Sequence, residues 1–439
     1  MVAVQNEIVV GFIRWHQRRD CIATIYEICV VPAFRRQGIG RSLVQSVIRQ
    51  ATPQCHKVQL KCPADLEANR FYASLGFRHE GTLEGKRIPL NFWTCSCIEP
   101  YSLRFVASMT LRPGDMRQWI ELWQRHLPNL YSNVIISPLF ISATALNLVR
   151  DTFAANPECN VYFDSGGYQV QCGRLAYEQL YRRLMTCYRA NTWANWYVLP
   201  DHVPTSNDTP EQIENKVRDT VTVAELFADE MPKELRSKAI AVVQGLTTEQ
   251  VQRCLERYAE LGFQYIGFGS FPTSGSKGSV NYLDNHALER VRHILSFVRQ
   301  TGQKLHLFGV GNPPLAYVFQ KLGVHSFDSL NWFKAATYGN VFLPFSRAFN
   351  VTHRTPGQSA RSITWAEFQA GKENTQHDCP FCQNDVSLRS DRIMRAAHNL
   401  VVMNETLERL HQWDDTGILD SMQGQSRYYS MARKVIENV

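Results

Sequence analysis

Short apolar runs alternate with amphipathic stretches along most of the chain after residue 103. Eight of these runs have the length and composition of buried strands. They are Arg104–Met109, Val134–Ser137, Val161–Asp164, Trp196–Leu199, Ala239–Val243, Tyr265–Gly267, Leu305–Gly309 and Ser326–Asp328. Stretches of helical periodicity lie between most of them, for example Gln212–Ala228, Thr248–Leu261 and Asn285–Arg299. Because buried strands that alternate with helices form parallel sheets, the pattern predicts an α/β fold, a (β/α)8 TIM barrel.

The first hundred residues show a different pattern. Met1–Val4 and Ile8–Trp15 predict a hairpin, and Cys21–Val31 predicts a third strand. A basic turn with two glycines then leads into a stretch of helical periodicity. We therefore expect a small, truncated α+β domain over residues 1–98, the barrel over 99–411, and a polar helical tail over 412–439.

The composition limits the class of protein. At 439 residues the chain is long enough for two or three domains, and its hydrophobic content of 44% supplies their cores. No apolar run approaches the roughly 20 residues that span a bilayer, and no signal-peptide pattern is present, so we expect a cytoplasmic protein without membrane partners. The 12 cysteines are scattered, which favours reduced thiols. The net charge of +7 lies mostly in residues 1–98 and suits a nucleic acid or an anionic cofactor.

Polar residues follow the predicted barrel strands at the points where the strands end. Asp164, Asp201, Gln244 and Asp328 occupy such positions, and the first of them opens directly into two glycines. The carboxyl ends of the strands meet at one face of a TIM barrel, so we expect these side chains to form a candidate active site. Taken one at a time, each also suits an ordinary cap or turn.

Four segments around these residues resemble, in the same order, the tRNA-guanine transglycosylase superfamily. The segments are Phe163–Gln169, Val243–Gly245, His306–Pro313 and Phe327–Ser329. The resemblance implies that guanine leaves a nucleic acid and a 7-deazaguanine base enters, through a covalent enzyme–nucleoside intermediate. It also implies that Asp328 is the nucleophile at the sugar C1′ and that Asp164 is the general acid and base for the two purines.

The same resemblance implies a pocket for a flipped base. Asp201 would accept hydrogen bonds from the base N1–H and exocyclic amine, and Gln244 would bond to the O6 and N7 side. The other implied pocket residues are Ser165, Gly166, Gly167, Tyr168, Gly267 and Gly269. The tyrosine would stack on the base, and backbone N–H groups near the last two glycines would meet O6. A side chain on either of the first two glycines would occupy the space of the base.

Two features bear on which nucleic acid is the partner. The segment after Tyr168 leads almost directly into a helical stretch, Leu175–Tyr188, where the tRNA enzymes carry a longer hairpin. The segment Leu330–Lys334 stands where those enzymes have a Pro-Thr-Arg element. Both features resemble the branch that places 7-deazaguanines in DNA, so we expect DNA, with tRNA as the alternative. The candidates for phosphate contacts are Lys334, Arg347 and Arg354.

A metal site is predicted near the C-terminus. The Cys-x-x-Cys turn of Cys379 and Cys382 presents two thiolates to one ion, and His377 and His398 complete a four-ligand set. The superfamily carries a cysteine where His377 stands. We therefore expect a structural Zn²⁺ ion, and the alternative is a half-site completed by a different fourth ligand.

The basic turn and a later helix resemble the GNAT family of N-acetyltransferases. The turn is Arg35-Arg36-Gln37-Gly38-Ile39-Gly40, and the helix motif, Leu66–Phe77, contains Asn69 and Tyr72. The resemblance implies that the turn and Asn69 hold acetyl-CoA or another acyl-CoA, and that Tyr72 protonates the leaving thiolate. Glu27 is the candidate base. The strand and helices that usually precede the hairpin are missing, which leaves a reduced acetyltransferase, a coenzyme A binder or a basic accessory surface as interpretations.

The function expected from the whole sequence is a DNA transglycosylase with an appended acetyltransferase-like domain. Base exchange on tRNA is the alternative within the same class. A barrel that binds nucleic acid without catalysis and a protein whose main activity is acetyl transfer are the remaining hypotheses.

Overall fold

The computed structural model describes the chain except for residues 6–7, 19–21, 36–37, 52–54, 56, 76, 86–87, 97–102, 128–130, 132, 172, 206, 275–279, 353–361, 411, 423–425 and 438–439. The chain divides into two compact units, Met1–Tyr101 and Ser102–Val439. Each unit has a hydrophobic core of its own. None of the described helices is both long and apolar enough to cross a bilayer.

The first unit is a six-stranded sheet with two helices. Its elements are β1 (Val2–Gln5), β2 (Ile8–Gln17), β3 (Ile22–Val30), α1 (Ile39–Ala51), β4 (Lys57–Pro63), α2 (Ala68–Ser74), β5 (Arg78–Leu83) and β6 (Leu90–Ser96). The strand order is β1-β2-β3-β4-β6-β5, and β3 and β4 form its parallel pair. The predicted hairpin and third strand are confirmed. Val44 and Val47 of α1 belong to the buried core together with Val58 of β4.

The second unit contains a closed barrel of eight parallel strands in the order β10-β11-β12-β15-β16-β7-β8-β9. The described strands of this unit, including four outside the barrel, are β7 (Arg104–Ser108), β8 (Asn133–Ile136), β9 (Asn160–Phe163), β10 (Trp196–Val198), β11 (Ala239–Val243), β12 (Tyr265–Phe268), β13 (Thr273–Ser274), β14 (Val280–Asn281), β15 (Lys304–Leu307), β16 (Ser326–Ser329), β17 (Asn340–Val341) and β18 (Phe349–Asn350). The short strands β13 and β14 form one hairpin, and β17 pairs with β18 in another. The TIM barrel and its eight predicted strands are confirmed.

Helices surround the barrel. They are α3 (Pro113–His126), α4 (Ala143–Val149), α5 (Gly167–Gln171), α6 (Tyr177–Ala190), α7 (Pro210–Glu230), α8 (Lys233–Arg236), α9 (Thr248–Glu260), α10 (Asn285–Thr301), α11 (Pro313–Leu322), α12 (Asn331–Thr337), α13 (Trp365–Asn374), α14 (Asp385–Ser390), α15 (Arg392–Arg409), α16 (Asp415–Ser421) and α17 (Ser426–Glu437). Local sequence sets some of their starts. Thr209 with Gln212 caps α7, and Thr247 with Gln250 caps α9, each pair in a reciprocal capping box.

Side chains alternate between the inside and the outside of the barrel, as the pleat of a strand requires. The inward cluster consists of Val106, Ile135, Tyr162, Val198, Ile240, Val242 and Tyr265. Their strand neighbours pack outward against the helices. His306 and Asp328 lie at inward positions, because Leu305, Leu307 and Phe327 beside them belong to the outer core.

Most predicted ends of the barrel strands lie within one residue of the observed ends, and the end of β15 differs most. β15 ends at Leu307, two residues before the predicted end at Gly309. Gly309 has φ +63°, which lies in the left-handed region and cannot continue a strand. The chain therefore turns at this glycine, and the turn brings its backbone N–H to the mouth of the barrel.

Candidate active site

The barrel brings together four polar residues that are far apart in the sequence. Asp164 directly follows β9, and Gln244 directly follows β11. Asp201 lies three residues after the end of β10, and Asp328 lies inside β16. The Nε2 atom of Gln244 donates to Oδ2 of Asp201 at 2.6 Å. Asp164 lies close enough to the other two carboxylates for their charges to act on its pKa.

Asp164 is tuned to exchange a proton near neutral pH. Burial is the largest effect and raises the pKa of this carboxyl from 3.8 to about 7. The hydroxyl of Ser137 donates to its Oδ2 at 2.6 Å and opposes the rise, whereas the negative charges of Asp328 and Asp201 add to it. A carboxyl with this pKa suits a general acid that must later act as a base. Ser137 is a site residue that the sequence patterns did not indicate.

Asp201 and Gln244 form one hydrogen-bonded unit. Ser165 donates to Oδ1 of Asp201 at 2.8 Å, and burial raises the pKa of Asp201. The N–H of Gly245 donates to Oγ of Ser270 at 3.0 Å, and the Ser270 hydroxyl in turn donates to Oε1 of Gln244. This chain of donors orients the amide so that its NH₂ group faces Asp201. Ser270 therefore fixes the hydrogen-bonding face that a base would meet.

The surroundings of Asp328 differ from those of Asp164. Its Oδ1 atom accepts from the N–H of Gly309 at 2.8 Å and lies 3.3 Å from Nε2 of His306. His306 is fully buried, and its Nδ1 lies 2.6 Å from Oγ of Ser326. The sequence patterns did not indicate His306 as a site residue. The signal that could have found it is a polar residue at an inward strand position.

The first two glycines of the predicted pocket have different surroundings. A Cβ atom on Gly166 would collide with the ring of Phe140, and one on Gly167 would lie 2.6 Å from Oδ1 of Asp201. The φ of +82° and the nearby aromatic ring each favour glycine at Gly166, and its expected steric role toward the base stays a prediction. Gly167 does face the polar pocket.

Gly267 and Gly269 also differ from each other. A Cβ on Gly267 would collide with the ring of Phe308, so this glycine makes room for an aromatic side chain. A Cβ on Gly269 would lie 3.6 Å from Nε2 of Gln244, which places this backbone beside the amide. The side chain of Tyr168 and the residue Arg354 lie outside the described residues.

The four predicted metal ligands form one buried cluster. Their candidate ligand atoms, in His377, Cys379, Cys382 and His398, all lie within 4.8 Å of one another. The two sulfur atoms are 3.4 Å apart, Nδ1 of His398 is 3.4 Å from Sγ of Cys379, and Nε2 of His377 is 3.5 Å from Sγ of Cys382. Tetrahedral bonds of about 2.0–2.3 Å require ligand separations of this size.

The other nitrogen of each histidine is occupied by the protein. Nδ1 of His377 lies 2.6 Å from Oε2 of Glu405, and Nε2 of His398 lies 2.9 Å from the carbonyl oxygen of Phe342. Such partners set the tautomer and the ring orientation of histidines that bind metals. The donor set therefore fits a tetrahedral ion.

The first unit has an opening between its two parallel strands. β3 and β4 pair from Ile22 with Lys57 to Ile25 with Leu60, after which β3 pairs with β2 and β4 with β6. The basic turn between β3 and α1 leads into the helix through Gly38, whose φ is +83°. The first backbone N–H groups of α1 have no partner inside the helix, which favours an anion such as a pyrophosphate.

The predicted cofactor residues of this unit have different surroundings. Asn69 donates to the carbonyl oxygens of Pro63 and Leu66, both at 2.8 Å, and its Oδ1 accepts from Nε1 of Trp93 at 2.8 Å. Its side chain therefore ties α2 to β4 and β6, and its contact with acyl-CoA stays a prediction. Tyr72 is 6% exposed, and burial raises its pKa to about 12.

The other predicted residues of this turn are exposed, half-buried or outside the described residues. Arg35 is exposed, and its Nε donates to the carbonyl oxygen of Val30 at 3.1 Å. Ile39 and Gly40 open α1, and a Cβ on the glycine would lie 3.3 Å from the ring of Phe71. Arg36 and Gln37 lie outside the described residues. Glu27 pairs with Arg14 at 3.1 Å on the solvent-exposed sheet.

Comparison with known proteins identifies both units. A model of the queuine tRNA-ribosyltransferase family matches residues 191–413, about half of the chain. The chain belongs to this family. The match includes Asp201, Gln244, Asp328 and the metal cluster, and Asp164 precedes it.

The first unit is similar to GNAT acetyltransferase domains. A model of the GNAT acetyltransferase domain matches residues 1–79. An acetyltransferase of the GNAT family from Desulfovibrio desulfuricans is 17% identical with a TM-score of 0.21, over 22% of this chain and 66% of that one. Ard1 from Thermoplasma volcanium is 27% identical with a TM-score of 0.20, over 21% and 65%. The chain thus spans slightly less than two-thirds of these structures. No curated protein matches the chain.

Proposed function

We propose that the barrel exchanges guanine in DNA for a 7-deazaguanine base through a covalent intermediate on Asp328. The observation that carries the proposal is the pair of carboxylates with unequal surroundings at one mouth. Oδ1 of Asp328 is held by the Gly309 N–H at 2.8 Å, whereas Asp164 has a pKa raised to about 7. One carboxylate suits a nucleophile and the other suits an acid and base.

The reaction has two displacement steps. An oxygen of Asp328 attacks C1′ of the flipped nucleotide, the C1′–N9 bond breaks with its electron pair going to guanine, and Asp164 supplies the proton. The incoming base then loses its N9 proton to Asp164 and attacks C1′, and the Asp328 carboxylate leaves. Two displacements at C1′ retain the configuration of the sugar, as in retaining glycosidases.

Base recognition follows from the hydrogen-bonded unit of Asp201 and Gln244. The carboxylate oxygens of Asp201 would accept from N1–H and the exocyclic amine. The NH₂ group of Gln244, oriented by Ser270, has a second hydrogen available for O6 or N7. Adenine lacks the N1–H donor and the O6 acceptor, so this pocket would reject it.

The choice of DNA is supported by the segments that flank the catalytic residues. Between β9 and β10, the described residues form the helices α5 and α6 and no hairpin. The helix α12 begins at Asn331, directly after β16, and contains Lys334. The description of the matching family names tRNA, which makes tRNA the second candidate.

The metal cluster would hold a structural Zn²⁺ ion. The ion would be bound by two thiolates and two imidazoles and would leave no open position for substrate, so it would supply stability and no reaction step. The first unit would bind an acyl-CoA at the opening between β3 and β4. We propose that it acylates an amine on the inserted base or on its precursor.

An exchange assay with the Asp328→Asn variant tests the proposal. We expect the parent chain to incorporate labelled guanine into double-stranded DNA and to form an adduct that survives denaturing electrophoresis, whereas the variant does neither. Incorporation into tRNA alone would replace DNA by tRNA as the substrate. Tight binding of nucleic acid by the parent, with no exchange and no effect of the substitution, would indicate a non-catalytic barrel.

A further inference from the structure

The two carboxylate oxygens of Asp328 have different environments. Oδ1 accepts from the N–H of Gly309 at 2.8 Å and lies 3.3 Å from Nε2 of His306. Oδ2 accepts no hydrogen bond from the residues that the structure describes. Oδ2 is therefore the oxygen with lone pairs available for attack, and Oδ1 is the oxygen that orients the group.

The orientation of His306 is itself set by a buried chain of hydroxyl groups. Its Nδ1 lies 2.6 Å from Oγ of Ser326, and this oxygen also contacts the hydroxyl of Tyr265. If each hydroxyl donates toward the histidine, Nδ1 is the acceptor and Nε2 carries the hydrogen. The imidazole then donates from Nε2 to Oδ1 of Asp328, and each hydroxyl of the chain has an acceptor.

Aromatic rings leave little freedom for the imidazole to turn. It stacks on Tyr162 at a centroid distance of 6.0 Å and contacts Phe308 at 4.5 Å. The side chain is 0% exposed. A fully buried polar ring is costly unless its nitrogens are hydrogen-bonded, so a site that needed only volume would be filled by an apolar residue.

We propose that His306 is the positioning residue of the nucleophile, a role that rests on the proposed function of Asp328. Its Nε2–H holds Oδ1 so that Oδ2 faces C1′. The bond is stronger to a carboxylate than to the ester carbonyl of the intermediate. It therefore favours the second displacement, in which the ester bond to C1′ breaks and its electron pair returns to the carboxylate. His306 donates a hydrogen bond throughout and transfers no proton.

Three variants of the full chain test this role. His306→Leu keeps most of the volume and removes the donor, and His306→Gln keeps an N–H donor at a similar distance. Ser326→Ala removes the anchor on the opposite nitrogen and keeps the imidazole. The control is His293→Leu, which loses a contact of 2.7 Å with Gln252 on helices outside the barrel mouth.

We expect His306→Leu to lower kcat by roughly 10- to 100-fold and to lower KM for nucleic acid as well, because slower breakdown of the adduct reduces both constants. The trapped adduct should form a larger share of the enzyme at steady state, because its breakdown slows more than its formation. His306→Gln should recover most of kcat, and Ser326→Ala should show a smaller loss of the same kind. The control should match the parent.

The inference would be overturned by a folded His306→Leu variant with parental kcat and adduct level, or by a Gln variant no better than Leu. If His306→Leu does not fold, parental kinetics of Ser326→Ala would overturn it, and the expected loss would support it. Absence of any Asp328 adduct in the parent chain would instead defeat the proposed function.

Discussion

At the scale of single residues, the environment of each carboxyl decides its chemistry. Asp164 and Asp328 are the same residue type at the same barrel mouth. Burial and neighbouring negative charge raise the pKa of Asp164 to about 7, whereas Oδ1 of Asp328 accepts a backbone hydrogen bond. A carboxyl with a pKa of about 7 suits the transfer of a proton to and from a purine, and a carboxyl oriented by a backbone N–H suits attack on C1′.

The raised pKa of Asp164 predicts a pH-dependent cost to stability. Between the ordinary value of 3.8 and about 7, the folded chain holds a proton that the unfolded chain has released. Stability therefore falls as pH rises through this window, and the cost is complete above it. The upper bound is about 4 kcal/mol, which partial exposure of the side chain reduces.

Asp164→Asn should therefore melt at a higher temperature than the parent at pH 8, and the difference should vanish near pH 4. Base exchange should be lost in the same variant. Thermal unfolding followed by circular dichroism across this pH range provides the measurement. The control is Asp229→Asn, which changes an exposed carboxyl on α7. An equal difference at both pH values would show that the charge of Asp164 carries no cost.

At the scale of elements, the ligands of the metal cluster come from elements of the second unit that are separate along the chain. Two ligands come from the turn at Cys379 and Cys382, and His398 comes from the middle of α15. The carbonyl oxygen of Phe342, just after β17, fixes the imidazole of His398. A bound ion would thus hold a turn, a long helix and the end of a hairpin together.

Cys382→Ser should lose the metal and lower the melting temperature, because removal of one thiolate leaves the other ligands buried without their ion. Elemental analysis of the purified parent should find about one zinc per chain. The control, Cys187→Ser, changes a partly exposed thiol of α6 and should keep both metal and stability. Metal-free parent protein with an unchanged melting temperature would contradict the structural role.

At the scale of the whole molecule, two different folds share one chain. The first unit is a mixed sheet with one parallel pair that opens beyond Ile25, and the second is a closed parallel barrel. Each has a separate core, so each provides the packing for its own site. A substitution in one site should therefore leave the binding properties of the other intact.

The pair Gly40→Val and Asp328→Asn tests this separation. Valine at Gly40 would crowd the ring of Phe71, 3.3 Å from the Cβ position, and should disturb the N-terminus of α1. We expect this variant to lose affinity for acyl-CoA in calorimetry and to keep base exchange. Asp328→Asn should show the reverse. Loss of exchange in a folded Gly40→Val chain would show that the two sites depend on each other.

Much of this architecture follows from local sequence. The period of two in the strands and of 3.6 in the helices locates all eight barrel strands, because one face of each element must be buried. The positions of Asp164 and Gln244 directly after their strands follow from the same pattern. The Cys-x-x-Cys spacing places Cys379 and Cys382 together, because a short turn brings their sulfur atoms onto one side.

The contacts that set the chemistry depend on the closed barrel. The pairing of β16 with β15 and β7 brings Ser326 beside His306, and the turn at Gly309 reaches Asp328 across 19 residues of sequence. Ser137 and Ser270 acquire their roles only because strand ends meet in space. The chain by itself thus determined which residues end the strands. Their hydrogen bonds, and the proton affinity of Asp164, depend on neighbours from other strands and on exclusion of water, which only the tertiary structure supplies.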